Sequence, residues 1–347
     1  MIIKRLKPAV FFLTLILLSS CQPEPKEHHA GLYVFGTIVD VTLYGVDRHK
    51  AQQALQQIET DLQYMHRAWH GWQPGPLGRI NELLGLGGEF SANPSVLGLI
   101  TKARELSTAS DHLFNPAIGR LIQLWGFHSD DPPKGPPPSD DDIRELLAKN
   151  PRMTDIQINH VRMKSTNPAL KLDLGAIAKG YALDQLMTSL QQQGVENAII
   201  NAGGDIKVIG KHGERNWRVG IRHPRTDGVI AGVDLAPGES IFTSGDYERF
   251  YKHDGHRYHH IIDGNTGYPA TGVSSVTVIH PDAATADAAA TAIFIAGTND
   301  WHRIAKKMGI KYVMLIDSVG DVHINPAMRS RLEFKQPSLT FHLSEAL

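Results

Sequence analysis

One cysteine in 347 residues, Cys21, has no partner for an intrachain disulfide, so no disulfide framework holds this fold. An excess of either charge is missing as well. The 35 Lys and Arg face 36 Asp and Glu, a formal net charge of −1, which is no electrostatic footprint for nucleic acid. The apolar run Ala9–Leu18 is too short to span a bilayer comfortably. No metal-ligand spacing such as His-Glu-x-x-His occurs among the 18 histidines, which read mostly as surface and packing residues. Internal repeats and a regular strand–helix alternation are also absent. That excludes a doubly wound sheet and predicts an α+β fold, a single large domain of mixed, mainly antiparallel sheet with helices.

What is present begins at the N-terminus. Lys4, Arg5 and Lys7 precede the apolar run, and Ser19-Ser20-Cys21 follows it; this order makes a secretory signal. Leu18-Ser19-Ser20-Cys21 also resembles a bacterial lipobox, whose cysteine becomes the lipidated first residue. Lipidation would account for a lone cysteine in an oxidising compartment. The expectation is a signal peptide over 1–20, lipidation at Cys21, a polar tether over 21–30, a domain over 31–335 and a tail over 336–347. The lipid would hold the chain on the periplasmic side of the inner or the outer membrane, with Gln22 hinting at the outer. Removal of 1–20 leaves 32 basic against 36 acidic residues, still no partner for nucleic acid.

Alternation over 31–45, with Gly36-Thr37 in the middle, predicts a hairpin or a long bent strand. Ala51, Leu55, Ile58, Leu62 and Met65 carry a helical period over 47–66, and a second helix is expected over 92–107. The Pro- and Asp-rich stretch 129–142 reads as an exposed loop ending in an N-cap for a helix from about Asp142 to Lys149. Strands are expected near 155–164, 168–174, 198–201, 311–317 and 321–325, and helices over 177–192, 284–296 and 299–308.

The most informative stretch runs from Lys171 to Gln185. It reads as a strand end, a glycine turn at Gly175-Ala176 and the first turns of a helix carrying Lys179 and Gly180. Helix N-termini offer free N–H groups and a positive dipole end to phosphates. It is no P-loop, since Tyr181 stands where Lys-Ser/Thr should follow, and no G-x-G-x-x-G opens the helix. Asp287 and Thr291, four apart in an alanine-rich helix, share one face and offer two hard oxygens to a cation such as Mg²⁺. Thr243-Ser-Gly-Asp-Tyr-Glu-Arg249 ends a strand in a cluster of hydroxyls and carboxylates. In His259-His260-Ile261-Ile262-Asp263, alternation turns the two imidazoles to opposite faces, so one can face a site as a base. Asn201-Ala-Gly-Gly-Asp205 lets backbone approach closely.

This ordered set resembles the FAD:protein FMN transferases, the ApbE-type flavin transferases. Three runs carry the resemblance: Asp173 to Asp184; Thr243 to Arg249 with His259 to Asp263 and Thr266-Gly267; and Ala286-Asp287 with Thr291-Ala292. The resemblance implies transfer of FMN from FAD to a Ser or Thr of an acceptor protein, with AMP released. Acceptors would be subunits of membrane redox pumps. It further implies that the Ala176 carbonyl, Asp287 and Thr291 hold Mg²⁺ and that His260 is the catalytic base. Asp173 and Lys179 would contact FAD, as would Phe35, Leu113, Phe114, Asn115 and the backbone near Ile261. The chain departs from the family with Phe114-Asn115-Pro116 for Phe-Asp-Pro and with Asp263-Gly-Asn-Thr-Gly267 for Asp-Pro-x-Thr-Gly. Ala68-Trp69-His70-Gly71-Trp72 replaces a Ser-Thr-Tyr segment, which makes Trp72 the candidate for stacking on the flavin. Water as acceptor at the same site would give an FAD pyrophosphatase, and no turnover at all a flavin-binding lipoprotein.

Overall fold

The computed structural model describes residues 27–129, 131, 133–336 and 338–347. The signal region, the lipobox with Cys21 and most of the expected tether lie outside these residues. Nine strands form the main sheet: β1 (Glu27–Val34), β2 (Thr37–Tyr44), β3 (Ala198–Ala202), β4 (Asp205–Ile209), β5 (Ser240–Gly245), β6 (Val273–His280), β7 (Tyr312–Asp317), β8 (Val322–Ile324) and β9 (Phe341–Leu343). They lie side by side in chain order. Every neighbouring pair is antiparallel except β8 and β9. The α+β expectation holds. Two boundaries shift: Glu27–Ala30 of the expected tether begin β1, and Phe341–Leu343 of the expected tail form β9.

The central strands of the sheet are buried on both faces, because they alternate between two apolar sets. Phe242, Val276, Val278, Val313 and Leu315 face the helices. Ile241, Ile279, Met314 and Ile316 face a second core, shared with the small sheet Trp217–Arg222, Val229–Leu235 and Glu333–Phe334. Against the first face pack helices α2 (Gly175–Gln192) and α3 (Ala283–Lys307). The alanines of α3 let its backbone come close to α2. A Cβ on Gly180 would stand 2.3 Å from the Ala283 carbonyl oxygen, so only glycine fits there. The helices expected over 284–296 and 299–308 are the two halves of α3, broken at Gly297 with φ 69° and ψ −175°.

Between β2 and β3 the chain leaves the sheet to form α1 (Arg48–Ala68), four shorter helices, a small three-stranded sheet and α2. The strand expected over 155–164 is a hairpin, Ile156–Asn159 and Arg162–Ser165, turned at His160 with φ 51°. Helix Asp140–Ala148 starts before Asp142, and its N-cap Ser139 accepts the Asp142 N–H at 3.2 Å. Helix Pro76–Leu86 was not expected, although Leu77, Ile80 and Leu84 have helical spacing and Gly87 closes it at φ 75°. The strand expected over 168–174 does not form. Only Lys171 makes a bridge, to Ile118, because the side chain of Asn81 takes the place of a neighbouring strand.

Candidate active site

The site is built around the start of α2. Asn81 accepts the Leu172 N–H at 2.7 Å and donates to the Leu172 carbonyl at 2.9 Å and the Gly71 carbonyl at 3.2 Å. One amide thus ties loop 70–73 to the segment leading into α2. The next residue, Asp173, accepts the Gly175 N–H on Oδ1 and the Trp72 indole N–H on Oδ2, each at 2.9 Å. Its own N–H donates to the Pro116 carbonyl at 2.9 Å. Ala176 leaves helical geometry, with φ −86° and ψ 16°.

Asp173 is the common wall of three cavities. The first, about 270 Å³, is aromatic, with Phe35, Trp69 and Trp72 on its walls. Phe35 sits at the β1–β2 turn with φ 53°, a conformation few side chains adopt. Its N–H donates to His66 Nδ1 at 3.3 Å, and its ring lies against Trp69 at 6.2 Å and 20°. Trp72 lines the wall as well, but the Lys171 ammonium covers its ring at 4.0 Å.

The second cavity, about 420 Å³, is polar and holds Lys179, Glu248, His260, Asp287 and Thr291. Lys179 pairs with Asp205, which also accepts the Thr243 N–H at 3.1 Å. Burial works against the lysine's charge, but Asp205, Glu248 and Asp287 outweigh it and hold its pKa above the ordinary value. Asp287 is 6% exposed, and its Oδ2 accepts the Gly180 N–H at 3.0 Å. Burial pushes it up to about 7, with Asp205 adding to the rise and Lys179 opposing it. Glu248 also rises to about 7, again by burial first. The Thr291 hydroxyl lies 3.2 Å from that of Ser244.

The third cavity, about 80 Å³, brings Ala176, Thr291 and His260 together with Leu113, Phe114, Asn115 and Ile261. Phe114 is 1% exposed, so its ring is mainly core. The Asn115 amide is engaged at both ends, donating to the Pro151 carbonyl at 3.0 Å and accepting the Ala117 N–H at 3.1 Å.

The two imidazoles separate as alternation predicts. His259 is buried against Phe294, with Nε2 at 2.8 Å from the Ala270 carbonyl. His260 faces both smaller and larger cavities, with Nδ1 at 3.2 Å from the Arg249 carbonyl. A carbonyl only accepts, so Nδ1 carries the proton and Nε2 keeps its lone pair. Burial, then Arg249 and His259, hold its pKa down to about 3.

Every residue expected to bind FAD, hold the metal or act as base therefore lies on one of three adjoining cavities, while Cys21 lies outside the described residues. Sequence reasoning gave no role to Asp205, Glu248 or Arg249, although each stands in a stretch singled out above. It missed Asn81 as a clamp and Trp69 as the ring beside Phe35. Among the described residues, no group of three or more His, Cys, Asp and Glu side chains could hold a metal. The expected oxygen set contains a single carboxylate.

An aromatic slot, buried carboxylates around one lysine and an uncharged imidazole open on one cleft. Together they make one charged, partly aromatic cleft at the start of α2 in an α+β fold. The chain belongs to the ApbE family, whose model matches residues 35–314. It is 44% identical over 301 residues to a FAD:protein FMN transferase of Rhodobacter capsulatus, covering 87% of this chain but only 57% of that protein. A FAD:protein FMN transferase of Klebsiella pneumoniae is 35% identical, with 76% of this chain and 81% of the relative covered. Among solved structures, the ApbE protein of Thermotoga maritima superimposes with TM-score 0.81 at 31% identity, over 88% of this chain and 99% of its own. The flavin transferase ApbE of Vibrio cholerae shares the fold, with TM-score 0.77 at 24% identity, over 88% and 99%.

Proposed function

We propose that this protein transfers FMN from FAD to a Ser or Thr hydroxyl of acceptor proteins and releases AMP. The observation that carries the reading is the placement of His260. Its imidazole lines the cavity that Lys179, Asp287 and Thr291 share, and the Arg249 carbonyl takes Nδ1, which leaves Nε2 as the basic nitrogen. FAD lies across the cavities joined at Asp173, with a flat ring in the aromatic slot and the pyrophosphate near Lys179. His260 Nε2 takes the proton of the incoming hydroxyl. The hydroxyl oxygen bonds to the FMN-side phosphorus, and AMP leaves with the electrons of the broken P–O bond. His260 is uncharged at neutral pH, as a base must be, and the phosphate charge of bound FAD draws its pKa back upward.

The residues fit a hard divalent cation. Asp205, Glu248 and Asp287 surround a single lysine, and burial raises both Glu248 and Asp287 to about 7, a surplus of buried acid that a cation relieves. Asp287, the Thr291 hydroxyl and the Ala176 carbonyl, freed by its off-helix backbone, would hold Mg²⁺. When bound, it supplies charge neutralisation at the pyrophosphate. We further propose a lipid anchor at Cys21 on the periplasmic side, which would keep the enzyme beside acceptor subunits of membrane redox pumps.

The test is mass spectrometry of a candidate acceptor incubated with this protein, FAD and Mg²⁺. One added FMN per acceptor supports the reading. Free FMN and AMP with an unmodified acceptor would make it a pyrophosphatase instead.

A further inference from the structure

Helices α2 and α3 meet antiparallel in one register with a step of four residues. Gly180 donates its N–H to Asp287. One turn along α2, Asp184 meets the start of α3 one turn before Asp287, accepting the N–H groups of Ala283 at 3.1 Å and Ala284 at 3.0 Å. One turn the other way, Ala176 and Thr291 line the same two cavities. The three expected oxygen donors thus occupy two steps of this ladder, and Asp184 occupies the third.

Asp184 is an odd residue to find there. The N-cap of α3 is Asp282, which accepts the Thr285 N–H at 2.7 Å. The first two free amides of that helix, before Thr285, go instead to a carboxylate on a different helix. Lys207 of β4, 7% exposed, seats that carboxylate, with Nζ 2.8 Å from Asp184 Oδ1 and 2.5 Å from the Pro281 carbonyl. Sheet, α2 and α3 are locked at one point, and Asp184 lines none of the three cavities.

We propose that Asp184, seated by Lys207, is a positioning residue for the oxygen site at Ala176, Asp287 and Thr291. It fixes how far α2 stands along α3, and so the distance between donors carried on two different helices. Leu183, Leu186 and Leu190 anchor α2 in the core regardless, so loss of Asp184 frees the register more than the fold. Mg²⁺ demands near-ideal geometry at about 2.0–2.1 Å, so a slip of a few tenths of an ångström matters.

This inference rests on the metal reading of the proposed function. The test is the thermal midpoint of the full chain with saturating FAD, as Mg²⁺ is added, in a His260→Ala background that blocks turnover. Asp184→Ala and Lys207→Met should each raise the Mg²⁺ concentration for half the response by about 10- to 100-fold. Leu190→Ala lowers the starting midpoint through the core of the same helix and should leave that concentration unchanged. A midpoint that ignores Mg²⁺ in the background protein sinks the metal reading, and this inference with it. A background protein that responds, with Asp184→Ala and Lys207→Met responding at the same concentration, overturns this inference alone. So does a Leu190→Ala shift as large as theirs, because general loosening would then explain it.

Discussion

The indole N–H of Trp72 donates to Oδ2 of Asp173 at 2.9 Å, joining a loop after α1 to the entrance of α2. Asp173 is the wall common to all three cavities, so this bond, with that from the Gly175 N–H, aims the carboxylate on which they converge. Trp72→Phe keeps the ring and removes the donor. FAD should bind about tenfold more weakly, the worth of one charge-assisted hydrogen bond. Flavin fluorescence quenching reads the affinity, and an unchanged dissociation constant would show that Trp72 does not act through Asp173.

His260→Ala removes the imidazole that the proposed function makes the base. FMN transfer should fall by about 10²- to 10⁴-fold, while FAD affinity changes little. Single-turnover transfer to an acceptor, followed by mass shift, separates the two. Transfer near the unaltered rate would mean that the base lies elsewhere.

Gly180→Ala places a methyl group 2.3 Å from the Ala283 carbonyl oxygen, with backbone on both sides. Neither helix can yield without shifting the other. The expected loss is about 1–3 kcal/mol, read as a lower denaturation midpoint. A change below about 0.5 kcal/mol, typical of a neutral surface substitution, would contradict the tight contact.

Stability should also depend on pH through Asp287. Burial raises its folded pKa to about 7, above the ordinary 3.8, so the folded protein binds a proton there that the unfolded chain has released. The stabilisation is complete below the ordinary value and is lost as pH climbs through about 7. Without Mg²⁺, the thermal midpoint should therefore fall between about pH 5 and about pH 8. Added Mg²⁺ should restore more at the higher pH, because its carboxylate ligand must be ionised. Asp287→Asn should flatten the difference; a slope that survives it assigns the effect to Glu248, which rises in the same direction.

Part of the site was legible from spacing, while the roles of its residues came from the family resemblance. A four-residue step in a helix puts Asp287 and Thr291 on one face, and a two-residue strand period turns His260 away from His259; both are local geometry. The ion pair of Lys179 with Asp205 was not legible, because it depends on where the β3–β4 turn falls against α2. The extended run before Asp173 was misread as a strand for a related reason. Its apolar, extended sequence suits a strand, and one edge does bond the backbone of 116–119, but on the other edge Leu172 meets the side chain of Asn81, about 90 residues away, which no periodicity reveals. The chain order of the main sheet was equally hidden, since the excursion between β2 and β3 separates strands that pair directly.

That excursion has a consequence for synthesis. Trp72, Asp173 and Lys179 emerge from the ribosome within it, whereas His260 follows only after β5 and Asp287 only after β6. A nascent chain ending before α3 lacks Asp287 and Thr291, and with them one wall of the polar cavity. The long loop must close before β2 meets β3, and that entropy grows only slowly with its length. Bound as proposed, FAD would span a seam between early and late sequence. Its arrival should be felt first as protection of the excursion against proteases, ahead of any change in the sheet.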